Sequence, residues 1–373
     1  MGENFREIVV DLDAVTSNVQ RLRALTGTSH LMAVVKANAY GHGSLQCARA
    51  ALAGGADWLG VAEIPEALAL RAAGIDAPLL AWLHDPDEDF VAAIDARVDI
   101  GVSSLAQLDA VAIAARSGGR AYIQIKVDTG LSRNGVAPGD WPAVFERAAE
   151  LQRSGLIVVR GLFSHLSGAS LDDDRESLGR FEQARVLLES RGISPELQHV
   201  AASLAALTLP ESRLTMVRPG VSVYGLSPSP AMTGAHWGLR PAMTVRTRVA
   251  ALRRVPEQTG VSYDYTYRTA SPTTLALIPV GYAEGIPRRA SNSGSVTIGG
   301  ERYRVAGRVA MDQFVVDVGD APVAVGDEVV VFGDPALGYS SADEWALAAE
   351  TINYEIVTRM GGRLRYRFLG GTE

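Results

Sequence analysis

A chain of 373 residues is longer than one hydrophobic core usually serves, so two domains are expected. With 47% apolar and 21% charged residues it reads as a well-cored globular protein, and a net charge of −7 with scattered basic residues argues against a nucleic-acid partner. The single cysteine, Cys47, excludes an intramolecular disulfide and suits a reducing compartment; on a helical stretch it reads as a core residue more readily than as a nucleophile.

The first seven residues, Met1-Gly2-Glu3-Asn4-Phe5-Arg6-Glu7, carry neither an apolar signal core nor a lipidation motif, and no window approaches a membrane span. A cytoplasmic protein with no membrane partner is expected. Residues 7–12 read as a strand. From about 30 to 225, short apolar runs at 30–38, 58–62, 78–83, 99–103, 121–128, 156–165, 197–202 and 214–224 alternate with amphipathic stretches such as 64–73, 105–117 and 175–191. Eight strands alternating with helices over this span predict an α/β fold, a (β/α)8 TIM-type barrel. A doubly wound sheet shares the alternation, but it gathers its ligand at one switch point and not along many strand ends.

The texture changes at Ser227-Pro228-Ser229-Pro230-Ala231-Met232-Thr233-Gly234, which reads as a linker. Beyond it lie β-type runs at 243–255, 274–280, 295–298, 303–306, 314–318 and 328–332, with Gly299-Gly300 suited to a hairpin and one helix at 341–352. The expected organisation is an N-terminal barrel over 10–230 and a C-terminal mostly-β domain over 231–373, joined by the strand near 5–9.

Chemistry concentrates where barrel strands end. The apolar run 31–35 delivers Lys36 into a small-residue loop. An ammonium beside such a run must pair, lose its proton or react, and lysines desolvated this way form Schiff bases with carbonyl compounds; a lysine that snorkels from the strand end is the plain alternative. Later strand ends supply Lys126-Val127-Asp128-Thr129-Gly130-Leu131-Ser132-Arg133, then Ser164-His165, Ala202-Ser203 and Val217-Arg218-Pro219-Gly220-Val221. Taken singly, Asp128 and Ser203 are equally good helix caps or turn formers, and His165 an ordinary core histidine. Their shared placement is what favours a site. Ser203, Gly220 and Val221 fall after strands seven and eight, the frequent phosphate site of this fold. An anion cradle opposite an activated lysine suggests pyridoxal 5′-phosphate. No metal is expected.

The decamer Val34-Val35-Lys36-Ala37-Asn38-Ala39-Tyr40-Gly41-His42-Gly43 resembles the cofactor-attachment motif of the alanine racemase family, and the resemblance extends through Val127 to Arg133, Ser164-His165, Val217 to Gly220, Val261-Ser262-Tyr263, Gly281-Tyr282-Ala283, Gly307 to Gln313 and Tyr354-Glu355. It implies a pyridoxal-phosphate barrel, a β-domain, and a homodimer in which each β-domain completes the other chain's site. The implied reaction interconverts L- and D-alanine by two bases, Lys36 for the D-face and Tyr263 of the partner subunit for the L-face, and it supplies D-alanine for peptidoglycan. The same resemblance assigns Tyr40, His165, Ser203, Arg218, Gly220, Val221 and Tyr354 to the cofactor. It gives Arg133 and the Met311 amide to the substrate carboxylate, a carbamylated Lys126 to the support of Arg133, and supporting roles to His42, Tyr282 and Asp312. A packing role for Tyr282, and an ordinary strand tyrosine at 263, are the plain readings of those residues taken alone. An arginine against the pyridine nitrogen cannot accept its proton, so Arg218 favours a weak electron sink and a short-lived carbanion. Two features depart from the family pattern: Asp264 beside Tyr263, and the C-terminal run Arg363-Leu364-Arg365-Tyr366-Arg367-Phe368. Alternatives are a broader-specificity or serine racemase, a basic amino-acid decarboxylase of the same fold, and a non-catalytic pyridoxal-phosphate carrier. The decarboxylases use a β-domain cysteine that this chain lacks, and a carrier needs no second base.

Overall fold

The structure, a computed structural model, describes residues 5–371; Met1-Gly2 and the residues to 4, read above as carrying no lipidation signal, lie outside it. The chain separates into two compact units, one of residues Thr16–Ala37 and Cys47–Val223 and one of residues 5–15, 38–46 and 224–371. The first strand, β1 (Glu7–Asp11), belongs to the second unit.

The first unit is a parallel barrel. Its strands are β2 (His30–Val34), β3 (Trp58–Val61), β4 (Leu79–Ala81), β5 (Asp99–Val102), β6 (Ala121–Lys126), β7 (Ile157–Phe163), β8 (Leu197–His199) and β9 (Met216–Val217). They run in sequence order, and β9 pairs back onto β2. Between β8 and β9 the ladder reduces to a single bridge, Ala202 to Arg218. All eight strands lie within the runs read from the sequence, but each is shorter, because the C-terminal residues of every run turn out of the ladder to form the barrel mouth. Near-continuous apolar strands follow from burial on both faces. Met32, Trp58, Leu80, Leu197 and Met216 fill the interior together with Trp82, and glycine makes room for them: a Cβ at Gly60 would lie 2.7 Å from both the Met32 sulfur and the Trp82 ring.

Helix boundaries follow capping chemistry. Leu105–Gly118 starts where the Ser104 hydroxyl accepts from the Gln107 amide at 3.2 Å, and it stops at Gly119, whose φ is +93°. The helix expected from 175 begins earlier, at Leu171, where Ser170 accepts from the Asp173 amide at 3.0 Å and three aspartates occupy the first turn. Those acidic residues suit a helix N-terminus, although they interrupt the apolar periodicity.

The second unit is mostly β. A six-stranded sheet has the order β16–β15–β18–β10–β1–β19, and a three-stranded sheet has the order β11–β14–β17. Here β10 is Met243–Arg248, β11 Ala251–Val255, β12 Gly260–Val261, β13 Tyr267–Arg268, β14 Thr273–Ile278, β15 Ser295–Ile298, β16 Glu301–Arg304, β17 Phe314–Gly319, β18 Glu328–Phe332 and β19 Arg365–Leu369. The single run expected at 243–255 is two strands, because the Val249 amide bonds to Asp327 and the next amide, Ala250, bonds to Leu277 in the other sheet. Gly299 and Gly300 close the β15–β16 hairpin with φ of +58° and +87°, as a type I′ turn requires. The helix expected at 341–352 covers only Ala342–Ala348; Glu350 is left-handed, and a second helix that was not expected, Asn353–Thr358, follows. β1 joins this unit, flanked by β10 and by β19, a parallel partner that the sequence pattern did not reveal. Among the described residues no helix is long and apolar enough to cross a membrane.

Candidate active site

Lys36 does not end a strand. β2 stops at Val34, and Lys36–Gly41 forms a helical turn of the wrong hand: Ala37, Asn38, Ala39 and Tyr40 have φ between +52° and +55°, and Gly41 has +80°. A side chain in this region costs about 1–2 kcal/mol per residue and normally occurs singly. Four in succession are held by over-determined contacts, as strained functional segments are. In the barrel unit Glu66 accepts from the Ala37 amide at 2.6 Å. In the second unit Asn38 accepts from the Ser44 amide at 3.0 Å and donates to the Tyr366 hydroxyl at 3.1 Å, while that hydroxyl donates to the Gly41 carbonyl at 2.8 Å. His42 Nδ1 sits 3.0 and 2.9 Å from the Ala39 and Tyr40 carbonyls, and its ring stacks on Tyr224 at 4.4 Å. A Cβ at Gly41 would lie 2.4 Å from the Val357 carbonyl oxygen, so only glycine fits.

Within the barrel unit, Lys36, Lys126, Arg133, His165, Ser203, Arg218, Gly220 and Val221 all lie at or beyond the C-terminal strand ends. Burial, then Arg133 and Arg218, pull the Lys36 pKa below the ordinary lysine value, with Glu66 the opposing influence. Lys126 is pulled to about 8 by burial, Arg218, Arg133 and Lys36, against Asp128. His165 falls to about 3, from burial first and the Arg218 charge next, so it is neutral. Arg218 is buried; it donates to the Ser164 and Val200 carbonyls at 2.7 and 3.3 Å, to His199 Nδ1 at 2.7 Å and, more weakly, to His165 Nδ1 at 3.4 Å. Among the described residues no carboxylate forms an ion pair with Lys36, Lys126, Arg133 or Arg218. Asp128 is occupied as a turn former, accepting from the Gly130 and Ser132 amides at 3.0 and 3.1 Å.

This mouth fits pyridoxal 5′-phosphate on its own chemistry. The helix Ser203–Thr208 opens at Ala202 without a side-chain cap, and the Gly220 amide donates to Ser203 Oγ at 3.0 Å, which sets a hydroxyl and loop amides beside an uncapped helix start. Arg218 provides a buried cation without an anion, and Lys36 a desolvated amine. Phosphate and carboxylate groups would supply the missing negative charge.

The second unit holds the remaining expected residues. Tyr40 and Tyr354 face each other with ring centroids 6.2 Å apart; burial pushes the Tyr40 phenol up and the Tyr354 phenol to about 12. Tyr263 and Met311 are 67% and 54% exposed in the single chain. Ser262, Asp264 and Tyr265 flank Tyr263 at φ of +61°, +61° and +46°. The turn is fastened by Ser262 Oγ donating to the Arg308 carbonyl at 2.7 Å and by Arg308 Nε donating to Asp264 at 2.6 Å. The Asp264 carboxylate is therefore ion-paired. The Tyr282 amide donates to the Ala310 carbonyl at 3.1 Å, and Asp312 pairs with Arg363 at 2.7 Å. Sequence reasoning missed His199, Gln124, Glu66 and Tyr366. His199 stands two residues after Leu197 and so shares its face on a barrel strand, which is the one signal that could have found it.

A parallel barrel whose strand ends gather a desolvated lysine and unopposed cations has the architecture of a barrel enzyme acting on small anionic ligands. Family models for the alanine racemase N-terminal and C-terminal domains match residues 10–228 and 242–368. The chain is 51% identical to the alanine racemase of Frankia casuarinae over 97% of its own length and 95% of that protein's, and 47% identical to that of Thermobifida fusca over 98% and 99%. It superposes on the crystal structure of alanine racemase from D-cycloserine-producing Streptomyces lavendulae with a TM-score of 0.98 at 48% identity, covering 100% of this chain and 99% of the other. The chain belongs to the alanine racemase family. It is an isomerase, and its substrate is a small amino acid.

Proposed function

We propose that the protein is a cytoplasmic, pyridoxal-phosphate-dependent alanine racemase, active as a homodimer, that supplies D-alanine for peptidoglycan. When bound, the cofactor supplies an electron sink for the pair left at Cα. The reaction removes a proton from one face of Cα and returns one to the other, so it needs two acid/base groups. Lys36 serves the D-face; burial and the Arg133 charge pull its pKa below the ordinary lysine value, the direction a base requires. Tyr263 of the partner subunit serves the L-face, and the exposure of Tyr263 and Met311 in the single chain supports their use by a second copy. His165 is neutral and its Nδ1 faces Arg218, so its Nε2–H is the end free to donate toward that phenolic oxygen.

Ser203, Gly220, Val221, Tyr40 and Tyr354 hold the phosphate. Arg218 would face the pyridine nitrogen of the bound cofactor as a donor that cannot take its proton. Arg133 and the Met311 amide of the partner subunit orient the substrate carboxylate, and Tyr282 and Asp312 support the loops around them. Lys126 bears a carbamate: its pKa near 8 leaves a useful fraction of neutral amine to add to carbon dioxide with loss of a proton, and the resulting anion offsets Arg133. The observation that carries this reading is Lys36, desolvated between Arg133 and Arg218 at the barrel mouth. Incubating the protein with pyridoxal 5′-phosphate and L-alanine is expected to yield D-alanine toward an equal mixture by chiral chromatography. Bound cofactor without D-alanine overturns the assignment.

A further inference from the structure

Below Arg218 the barrel interior is not purely apolar. A chain of hydrogen bonds crosses it on successive strands. His199 Nδ1 on β8 lies 2.7 Å from Arg218 Nη1, and His199 Nε2 lies 2.7 Å from Gln124 Oε1 on β6. Gln124 Nε2 donates to Asp99 Oδ2 on β5 at 2.9 Å, and Arg160 Nη1 on β7 donates to Asp99 Oδ1 at 3.1 Å. Arg160 is clamped between the Trp58 and Tyr122 rings, at 4.7 and 5.3 Å. Asp99, Gln124, His199 and Arg218 are all buried, and Gly161 leaves the space for Gln124, since a Cβ there would lie 2.8 Å from its Oε1.

The chain has a direction. An ionised carboxylate only accepts, so Asp99 takes the Gln124 NH2 and turns its carbonyl oxygen toward His199. That oxygen can only accept, so His199 carries its proton on Nε2. Its Nδ1 lone pair then faces Arg218 and accepts from the guanidinium. A protonated His199, or the opposite tautomer, would set an N–H against a buried arginine. Burial and the Arg218 charge both hold His199 neutral. The groups acting on Asp99 are Arg160, Gln124, Glu196 and Arg71, and burial raises it to about 6, so it is ionised at neutral pH.

We propose that Asp99 and Gln124 are positioning residues: by fixing the His199 tautomer they hold Arg218 as a donor aimed out of the barrel floor into the mouth. Its consequence for turnover rests on the racemase reading; the tautomer itself does not. The test is 15N NMR of histidine-labelled holoenzyme, with His199→Asn for assignment. At neutral pH, His199 is expected as a single neutral form protonated at Nε2; a proton on Nδ1, or an imidazolium, overturns the proposal without any variant. Gln124→Met keeps the volume and removes both hydrogen bonds. It is expected to mix the His199 tautomers, weaken pyridoxal 5′-phosphate binding, and lower kcat about tenfold with KM for alanine within about twofold. In Asp99→Asn the single remaining oxygen cannot accept from both Arg160 and Gln124, so this variant too is expected to mix the His199 tautomers and to lower kcat. An unchanged His199 spectrum or unchanged kcat in either variant refutes the positioning role. Wild-type protein with the expected tautomer but no racemisation refutes the racemase reading alone.

Discussion

At the scale of single residues, the site is governed by a shortage of negative charge. Lys36, Lys126, Arg133 and Arg218 share one barrel mouth, and their mutual repulsion adds to desolvation in lowering both lysines. Lys126 binds fewer protons in the folded than in the unfolded chain between about pH 8 and its ordinary 10.5, so its contribution to stability improves as pH rises through that window. Below about 8 the neutral amine becomes scarce. 13C-labelled bicarbonate is therefore expected to give a carbamate NMR signal that fades with acidification and is absent in Lys126→Ala, whose KM for alanine rises as Arg133 loses its support. The Asp264–Arg308 pair offsets the carboxylate next to Tyr263, though an exposed pair of this kind contributes only about 0–1 kcal/mol to stability. Replacing Tyr263 by Phe is expected to abolish solvent-deuterium exchange from L-alanine far more than from D-alanine; equal loss in both directions would sink the opposite-face assignment. Lys36, Lys126, Arg133 and Arg218 were legible in the sequence as residues near barrel strand ends, and their roles were taken from the family resemblance. Their charge states were not, because those depend on which cations the barrel gathers.

The element that most departs from sequence expectation is the turn Lys36–Gly41. Propensity gives little warning of it, since Ala37, Ala39 and Tyr40 are poor left-handed residues and only Asn38 and Gly41 suit that region. What imposes the wrong hand is long-range: Tyr366 on β19, over three hundred residues away, bonds both Asn38 and the Gly41 carbonyl. The C-terminal run that departs from the family pattern thus has a structural task. Tyr366→Phe removes two hydrogen bonds and keeps the ring stacked on Phe368. It is expected to cost about 1–3 kcal/mol, read as a lower Tm, and to weaken pyridoxal 5′-phosphate binding several-fold in a fluorescence titration. A variant with wild-type Tm and cofactor affinity would show that the turn is held elsewhere.

For the molecule as a whole, the prediction concerns two copies. If each site takes Lys36 from one chain and Tyr263 from the other, the inactive variants Lys36→Ala and Tyr263→Ala complement each other when co-expressed. Random pairing makes half of the dimers mixed, each with one intact site, so about one quarter of wild-type activity is expected. No recovery, with mixed dimers verified by differential tagging, would place both bases in one chain. The barrel, its eight strands and the β-rich second unit were all readable from βα alternation and strand periodicity, since both are consequences of burial at periods of 2 and 3.6 residues. The attachment decamer and the Tyr263 segment stood out by their resemblance to family motifs. Tertiary structure alone decided the rest: the left-handed turn at Lys36, the split of residues 243–255 between two sheets, the pairing of Asp264, and the polar chain from Asp99 to Arg218. Each of these depends on partners distant along the chain, and such contacts leave no local period in the sequence.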